Sequence, residues 1–437
     1  MKKTLSLILA LVMMLVMASA LAEGTQIDGV TERNITINPA GLNEDADTCW
    51  ANGYSPTTGR NLMEIEVPAG FLGLAVTGEY QPILVQISNA DNGLGSSSSI
   101  KNYRNAPVNG IYADVVYEAL QKKGGGESRM TFVFSDVVPD FAGFVRSTRI
   151  QHARNRAEWE SAFVTSGWNY AVSDVPDVWK LNNLPDPAGK RTKEDPGIIY
   201  VGDLSSKPWG PYVFRIFDRT GKKYSGANTE LFNLTGLLTD IIPKDHKAAN
   251  HTWKFTDNLP AAGDDANFVY VKFGNANATD SRLEYDASSN SYIRYVKPGK
   301  GEDLPYRTNI LIDPEVKKVN GDGKNAAGLG LVIQGMEAGD PITFSNVIVQ
   351  QVDYNWISFT RPSPVLYDVD PEKGLLGKGN ADYFMGGKHI AGVWERKALT
   401  DRTVFYGPDG NEIEMQRGRT LIIMMPYGEN DAGVSYE

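Results

Sequence analysis

The chain has 437 residues, of which 43 are basic and 53 acidic, so its formal net charge is -10. An acidic chain without a long basic block offers little electrostatic attraction to nucleic acid, so we predict no nucleic-acid binding. Its single cysteine, Cys49, excludes an internal disulfide and a cysteine-built zinc site. The four histidines lack a metal-ligand spacing such as HExxH, so we predict neither a metal site nor a cofactor.

The first 22 residues predict an export signal. Lys2 and Lys3 form a charged start, an apolar run follows from Leu5 to about Met17, and small residues at 20–22 supply a cleavage site. The run is short for the roughly 20 apolar residues of a membrane-spanning helix, and an uncleaved anchor is the alternative. We therefore expect an exported protein, extracellular or associated with the cell envelope, with no transmembrane span after cleavage.

The length of the chain and the changes in composition along it predict two domains after a polar segment. Residues 23–74 are rich in Gly, Asn, Asp and Thr and predict a linker or a loosely structured N-terminal extension. Alternating strands and helices over 75–245 predict an α/β domain with a mixed sheet. Successive strands over 250–430 predict a mostly antiparallel, β-rich domain. The fold class is thus α+β or α/β, with a boundary between Pro243 and Asn258.

The first domain opens on the strand QPILVQIS (81–88), and the apolar spacing of IYADVVYEALQKK (111–123) predicts a helix. MTFVFSD (130–136) and AGFVRS (142–147) are predicted to form an antiparallel hairpin. An arginine-rich helix follows over about 148–160. The later elements are predicted to be the strands SAFVTSG (161–167), GIIYVG (197–202) and PYVFRIFDR (211–219) and the helix NTELFNLTGLLTDII (228–242).

The β-rich domain is predicted to contain hairpins because turn residues separate its strands. The predicted pairs are RLEYD (282–286) with SYIRYV (291–296), DYFMG (382–386) with KHIAGVW (388–394), and TVFYG (403–407) with EIEMQ (412–416). Further strands are predicted at FVYVKF (268–273), ITFSNVIVQQVDY (342–354) and RTLIIMMP (419–426). His389 is expected at the surface or edge of its hairpin.

The start of the arginine-rich helix is the best candidate for a ligand site. Arg146 and Arg149 flank Ser147 and Thr148, which we predict at the helix N-cap. A helix N-terminus carries positive partial charge and spare N–H groups, so guanidinium groups beside it favour an external anion. Arg129 is predicted to join from the neighbouring strand.

The position of strand ends gives a second reason to place a site here. Asn89, Arg146 and Ser166 each follow a predicted strand. Ligands gather beyond the carboxyl ends of strands, so these residues would share one crevice if the strands run parallel. We therefore add Asn89 to the predicted ligand-binding residues.

Two alternative interpretations of the charged residues stay open. The arginines could pair with carboxylates of the chain itself, namely Asp114, Glu118, Asp136 or Glu160. Glu118 could act as a general acid or base, and Asp114 lies four residues earlier on the same face of the predicted helix. An ion pair between Glu118 and a neighbouring arginine, Arg129, is the more common outcome. Further along, the arginines at 154 and 156 are expected in solvent.

Several segments resemble, in order, a known family. QPILVQISNA, GIYADVVYEAL, GGGESRMTFVFSD, PDFAGFVRSTR and VTSGW resemble the N-terminal domain of the YerB-like family of bacterial envelope lipoproteins of unknown function. FSNVIVQQ, ADYFMGGKHIAGVWERK and FYGPDGNEIEMQRGRTLIIMMP resemble its C-terminal domain. The resemblance covers about residues 75–175 and 340–427 and implies an exported two-domain envelope protein with no established activity. The family's lipid-modified cysteine is absent at the end of the signal, and its Pro-His-Asn stretch and its His-Asp pair are not evident in the sequence, so nothing built on these is carried over.

Three functional hypotheses follow. The first is a protein of the cell envelope that binds an anionic ligand, such as a phosphorylated glycan or cell-wall fragment, through Arg129, Arg146 and Arg149. The second is a hydrolase or transferase on such a substrate, with Glu118 or Asp114 as acid or base. The third is a scaffold that recruits a protein partner through an exposed strand edge. Whether the protein is an enzyme is left open by the sequence.

Overall fold

The computed structural model describes residues 24–38, 52–89, 107–120, 128–148, 150–166, 198–200, 212–215, 230–249, 252–273, 280–296, 304–305, 311–312, 331–332, 340–356, 366–367, 376–398, 400–427 and 431–437. The predicted export signal, Cys49 and Arg149 lie outside the described residues. None of the helices within these ranges has the length and apolarity that a membrane crossing needs.

Strands dominate the described residues. Up to residue 233 they are β1 (Thr25–Gln26), β2 (Ile83–Ser88), β3 (Val115–Leu120), β4 (Ser128–Phe134), β5 (Phe141–Gly143), β6 (Ala162–Thr165), β7 (Ile198–Tyr200), β8 (Val213–Arg215) and β9 (Glu230–Asn233). Beyond it they are β10 (Lys254–Thr256), β11 (Asp264–Asp265), β12 (Phe268–Lys272), β13 (Ser281–Asp286), β14 (Ser291–Val296), β15 (Leu304–Pro305), β16 (Leu311–Ile312), β17 (Leu331–Val332), β18 (Thr343–Phe344), β19 (Asn346–Gln351), β20 (Asn355–Trp356), β21 (Leu366–Tyr367), β22 (Gly377–Met385), β23 (Lys388–Arg396), β24 (Val404–Tyr406), β25 (Glu414–Gln416), β26 (Thr420–Met425) and β27 (Gly433–Tyr436).

Helices are short by comparison. The α-helices are α1 (Leu74–Thr77), α2 (Ile150–Trp159) and α3 (Leu234–Gly236), which a π-helical turn continues over Leu237–Ile241. Two 3₁₀ turns span Leu62–Glu64 and Gly110–Tyr112. The described chain is therefore β-rich, and the α/β description of the first domain is only partly confirmed.

One long sheet runs through the molecule in the order β11-β23-β22-β19-β26-β3-β4-β2-β6-β7, with β24 beside β23. The neighbours β19, β26 and β3 are parallel, as are β2, β6 and β7, while β4 runs antiparallel to both β3 and β2. The predicted mixed sheet is thus confirmed. Both predicted domains contribute strands to it, because β26 pairs with β3 from Thr420↔Val115 to Met424↔Ala119.

A second sheet packs against the first and has the order β1-β27-β12-β13-β14-β15, with β18 beside β14. Its strands are antiparallel, as predicted for this part of the chain. Arg294 on β14 reaches Glu118 on β3, so the two sheets contact each other through a charged pair as well as through apolar side chains.

The predicted helix at 111–123 is wrong, because β3 occupies its centre. Every residue of β3 is buried, so both faces are enclosed and the alternation that marks a half-exposed strand is missing. Such a run cannot be distinguished from a buried helix by periodicity. The predicted helix at 228–242 is wrong in its first part for a similar reason, since β9 precedes α3 and Asn233 is the N-cap of α3.

One further predicted pairing is wrong, and another is confirmed in part. β4 and β5 do not form a hairpin, because β5 pairs with β9 and β4 lies between β2 and β3. The segments 403–407 and 412–416, predicted as a hairpin, meet at the antiparallel bridge Tyr406↔Glu412, and the Ile413 N–H donates to the Phe405 carbonyl (2.9 Å). The longer pairings of β24 and β25 are with β23 and, in parallel, with β10. The hairpins β13–β14 and β22–β23 are confirmed, with Gly386 and Gly387 at positive φ in the second turn.

Candidate functional site

The carboxyl ends of β2 and β6 meet at one edge of the long sheet because the two strands run parallel. Arg146 lies between these ends. Its backbone N–H donates to the Gln86 carbonyl (2.8 Å), and its own carbonyl accepts from the Ser166 N–H and the Thr165 hydroxyl (2.9 Å each). Asn89 follows β2 at the same edge.

The three residues that follow predicted strands are thus at one edge, although only two of the strands are parallel. The segment that carries Arg146 runs antiparallel to β2, with Val145 opposite Ile87. Arg146 therefore reaches the edge by crossing between β2 and β6, and not from the end of a third parallel strand.

Arg129 connects this edge to the segment before α2. Its position on β4 pairs with Ser88 on β2, and its guanidinium group donates to the Ser147 carbonyl. Arg129 and Thr148 are buried, whereas Arg146 and Ser147 are partly exposed. The structure thus gathers the predicted ligand residues apart from Arg149, which lies outside the described residues.

Glu118 pairs with Arg294, where the sequence predicts Arg129 as its partner. Both side chains of the pair are fully buried, and Arg294 Nη2 lies 2.9 Å from Glu118 Oε2. Oε1 also accepts from the Ser128 hydroxyl (2.5 Å) and from Asn89 Nδ2 (2.9 Å). Arg294 is 176 residues away in sequence, and the signal that could have revealed it is an arginine at an inward position of an alternating strand.

Asp114 lies at the opposite edge of the sheet, just before β3. Its Oδ2 accepts from the N–H groups of Ser135 (2.7 Å) and Asp136 (2.9 Å) and from the Ser135 hydroxyl (2.8 Å). Asp114 and Glu118 are four positions apart along extended backbone, which corresponds to about 13 Å. The predicted helical carboxylate pair is therefore wrong, since catalytic pairs lie roughly 5–9.5 Å apart.

The Asp136 carboxylate accepts hydrogen bonds from hydroxyl groups of a segment that is predicted to be a linker or a loose extension. Ser55 Oγ donates to Asp136 Oδ1 (2.5 Å), and Thr58 Oγ1 donates to Oδ2 (2.6 Å). Ser55, Thr57 and Thr58 are fully buried, so this part of the chain is packed rather than loose. Burial raises the pKa of Asp114, and the negative charge of Asp136 raises it further.

Helix α2 is polar yet buried, which contradicts the prediction that Arg154 and Arg156 lie in solvent. Arg156 Nε donates to the Ser161 carbonyl (2.7 Å), and Arg396 donates to the Arg154 carbonyl (2.8 Å). Glu158 lies 3.3 Å from Arg396 Nη1. A local partner, Ser161, and a distant one, Arg396, therefore bind polar groups of a helix whose sequence alone suggests exposure.

The structure also brings together a pair that sequence reasoning missed. His389 Nε2 lies 2.7 Å from Asp382 Oδ1, which also accepts from Arg33 (2.6 Å). His389 is buried, so its predicted surface position is wrong. Asp382 and His389 lie on facing strands of the β22–β23 hairpin, and this diagonal pairing is the signal that could have found them.

Comparison with known proteins identifies two domain families. Residues 99–201 match "Protein of unknown function (DUF3048) N-terminal domain", and residues 331–422 match "Protein of unknown function (DUF3048) C-terminal domain". The crystal structure of the YerB protein from Bacillus subtilis is similar, with a TM-score of 0.55 and 17% sequence identity over 87% of this chain and 99% of that chain. At this identity the likeness shows the fold. No curated protein sequence matches the chain.

Proposed function

Because the chain belongs to the YerB-like family, whose function is not established, we propose a function from the geometry of the site itself. The protein is exported to the cell envelope and binds an anionic ligand there. The ligand carries phosphate or carboxylate groups, as a cell-wall glycan or its fragments can. Its proposed binding residues are the two arginines 129 and 146 with Ser147, Thr148 and Asn89, together with Arg149, whose role stays a prediction from the sequence.

The observation that carries this proposal is the convergence of two arginines on one edge of the sheet at the start of a helix. Arg129 reaches the Ser147 carbonyl from β4, and Arg146 is held between the ends of β2 and β6. Asp114 and Asp136, two of the carboxylates predicted as internal partners, are at the opposite edge. Glu118 is at the same edge, where it accepts a hydrogen bond from Asn89, and its ion-pair partner is Arg294.

The chemistry of the edge supports an anion. Guanidinium groups donate in a planar fork that matches carboxylate and phosphate oxygens. Ser147 at this edge is partly exposed, and the edge stands at the start of a ten-residue helix, where partial positive charge accumulates. A hydrolase or transferase using Glu118 and Asp114 is less well supported, because each carboxylate is buried and separately satisfied.

Glu230 is a carboxylate of the chain that does lie near this edge. Its Oε2 accepts a hydrogen bond from the Ser166 hydroxyl, and its backbone carbonyl accepts from the Val145 N–H (2.8 Å). A ligand anion would meet the negative field of this side chain as well as the positive field of the arginines. Removing the charge of Glu230 should therefore strengthen anion binding.

Isothermal titration of the full mature chain with inorganic phosphate and with a hexosamine phosphate tests the binding. We expect Arg146→Gln and Arg129→Gln each to weaken binding by about tenfold or more, since a charge-assisted hydrogen bond is lost. Glu230→Gln should strengthen anion binding, because it removes a negative charge near the edge. Arg282→Gln is the matched control, because Arg282 lies on the second sheet and is partly exposed. Wild-type protein that binds neither probe, or arginine variants that bind like wild type, would refute the proposal.

The export part of the proposal has its own test. Mass spectrometry of the protein from intact cells should find a mature N-terminus at Glu23, in the fraction outside the cytoplasmic membrane. Recovery of the unprocessed chain from the cytoplasm would refute export without affecting the binding measurement.

A further inference from the structure

The side chain of Asn89, at the edge proposed to bind an anion, is held in one orientation by two buried residues. Its Nδ2 lies 2.9 Å from Glu118 Oε1 and 2.7 Å from Ser128 Oγ. The Glu118 carboxylate faces Arg294 and so acts as an acceptor, which means that the NH2 group of Asn89 must point toward it. The amide of Asn89 therefore has a defined direction, with Oδ1 turned away from Glu118.

Glu118 is itself fixed by further contacts. Its Oε2 lies 2.9 Å from Arg294 Nη2, and its Oε1 accepts from the Ser128 hydroxyl (2.5 Å). Glu118, Ser128 and Arg294 are all fully buried, so water does not compete for these contacts. The three side chains form a rigid base under the partly exposed amide of Asn89.

The carbonyl oxygen of Asn89 is the acceptor that this edge offers to a ligand. Asn89 is half-buried, in contrast to the three residues beneath it. Within the part of the chain that the structure describes, its hydrogen bonds are those made by Nδ2, and Oδ1 has no partner. A ligand that covers Oδ1 must supply a donor, because an acceptor that loses water without gaining a hydrogen bond opposes binding.

Asn89 is close to the arginines along the edge but lies on the other face of the sheet. Ser88, the residue before it, is directly opposite Arg129. Ser128 and Arg129 are neighbours on β4, so their side chains leave the strand on opposite faces. Asn89 bonds to Ser128, whereas Arg129 reaches Ser147. The acceptor and the cationic groups are thus separated by roughly 5–10 Å across the sheet, and a ligand meets both by passing around its edge.

We propose that the ligand of this edge carries hydroxyl groups on a body that extends from its anionic group, and that Asn89 selects for a hydroxyl donor. This inference rests on the proposed function and narrows its ligand to a polyhydroxylated phosphate or carboxylate, such as a sugar phosphate or a cyclitol phosphate. Glu118 is a positioning residue, because it sets the direction of the Asn89 amide and is itself buried. Its charge thus serves specificity at this edge.

Isothermal titration of the full mature chain with myo-inositol 1-phosphate and cyclohexyl phosphate measures this selection. The two probes share a six-membered ring and a phosphate monoester and differ in their ring hydroxyl groups. We expect wild type to bind the inositol phosphate about tenfold more tightly, as one added hydrogen bond supplies. Asn89→Leu should reduce this ratio to about one, because the acceptor is lost. Asn258→Leu is the matched control and should keep the ratio, since Asn258 lies in an exposed segment after β10.

The ratio of the two affinities also tests the positioning role of Glu118, because a general loosening of the edge would weaken both probes alike. Glu118→Gln can turn its own amide toward Asn89, so we expect the ratio to fall to about threefold or less. Ser128→Ala is a second variant that keeps the charges of Glu118 and Arg294 and removes a hydroxyl that contacts Asn89. It should lower the ratio in the same direction. A ratio that is unchanged in both variants would overturn the positioning role.

Inorganic phosphate separates failure of this inference from failure of the proposed function. Wild-type protein that binds inorganic phosphate through Arg146 but binds the two ring phosphates equally would overturn the role of Asn89 and leave the anion site in place. A tenfold ratio that persists in Asn89→Leu would have the same meaning. Wild-type protein that binds neither inorganic phosphate nor a ring phosphate would overturn the inference together with the proposed function.

Discussion

Strand β3 has a buried carboxylate near each end, and the two carboxylates have different partners. Glu118 faces the guanidinium group of Arg294. Asp114 instead accepts hydrogen bonds from backbone N–H groups and the Ser135 hydroxyl, and its charged neighbour is a second carboxylate, Asp136. One end of the strand is balanced by an opposite charge, and the other has two like charges beside each other.

The difference has a physical consequence for each edge. A buried pair of a carboxylate and an arginine becomes costly when one partner is removed, because the other is left buried without its counter-charge. A buried carboxylate next to another gains stability by holding a proton, so burial and the charge of Asp136 raise the pKa of Asp114. We therefore expect the free energy of unfolding to depend on the cation that faces Glu118 at one edge and on the pH at the Asp114 edge.

The largest expected effect is at the Glu118 edge. Arg294→Leu leaves Glu118 buried without its counter-charge and should lower the free energy of unfolding by about 3–5 kcal/mol. Urea denaturation measures the loss. Arg282→Leu on the neighbouring strand is the control, because its pair with Glu284 is partly exposed and should contribute less than about 1 kcal/mol. Equal losses in the two variants would contradict the role of the buried pair.

Short-range features of this fold could be predicted from the sequence. The strands β2, β4 and β6 are bounded by turn residues, and the hairpin β22–β23 is joined by two glycines. The meeting of Asn89 and Ser166 at one edge follows from the rule that ligand sites lie beyond the ends of parallel strands. These features depend on neighbours close in sequence or on a general property of sheets.

The remainder depends on partners far away in sequence. The pattern of β3 predicts a helix because burial on both faces removes the alternation, and its neighbour β26 lies about 300 residues later. Arg294 and Ser55 complete the two carboxylate environments from outside the predicted first domain. No local pattern encodes which distant side chain will meet Glu118 or Asp136.

An intermediate effect is expected at the Asp136 edge. Ser55→Ala removes a buried hydroxyl donor to the Asp136 carboxylate and should cost about 1.5–3 kcal/mol of unfolding free energy. Ser289→Ala is the matched control, because that hydroxyl donates to Asp286 in an exposed turn and its loss should be close to neutral. Hydrogen exchange of residues 52–62 should rise only in Ser55→Ala. Similar costs in both variants would argue against a packed 55–58 segment.

The smallest and most specific expected effect is on the pH dependence of the free energy of unfolding. Asp114 and Asp136 both have a pKa above the ordinary value of 3.8, chiefly because they are buried. The folded chain therefore binds more protons than the unfolded chain, and the stability from this pair is full below that ordinary pKa and is lost as the pH rises through the folded pKa values. Each retained proton corresponds to about 1.4 kcal/mol per pH unit over that window.

Asp136→Asn should reduce this loss, because it removes one titrating group and the like charge that faces Asp114. The measurement is the free energy of unfolding of wild type and variant from about pH 4 to about pH 8, compared as a difference so that other groups cancel. Asp286→Asn is the matched control, since hydrogen bonds from Ser288 lower the Asp286 pKa from its ordinary value of 3.8, so its titration lies below this pH range and the variant should keep the pH dependence of wild type. If Asp136→Asn leaves the pH dependence of wild type intact, the two ends of β3 do not differ in the way their geometry indicates.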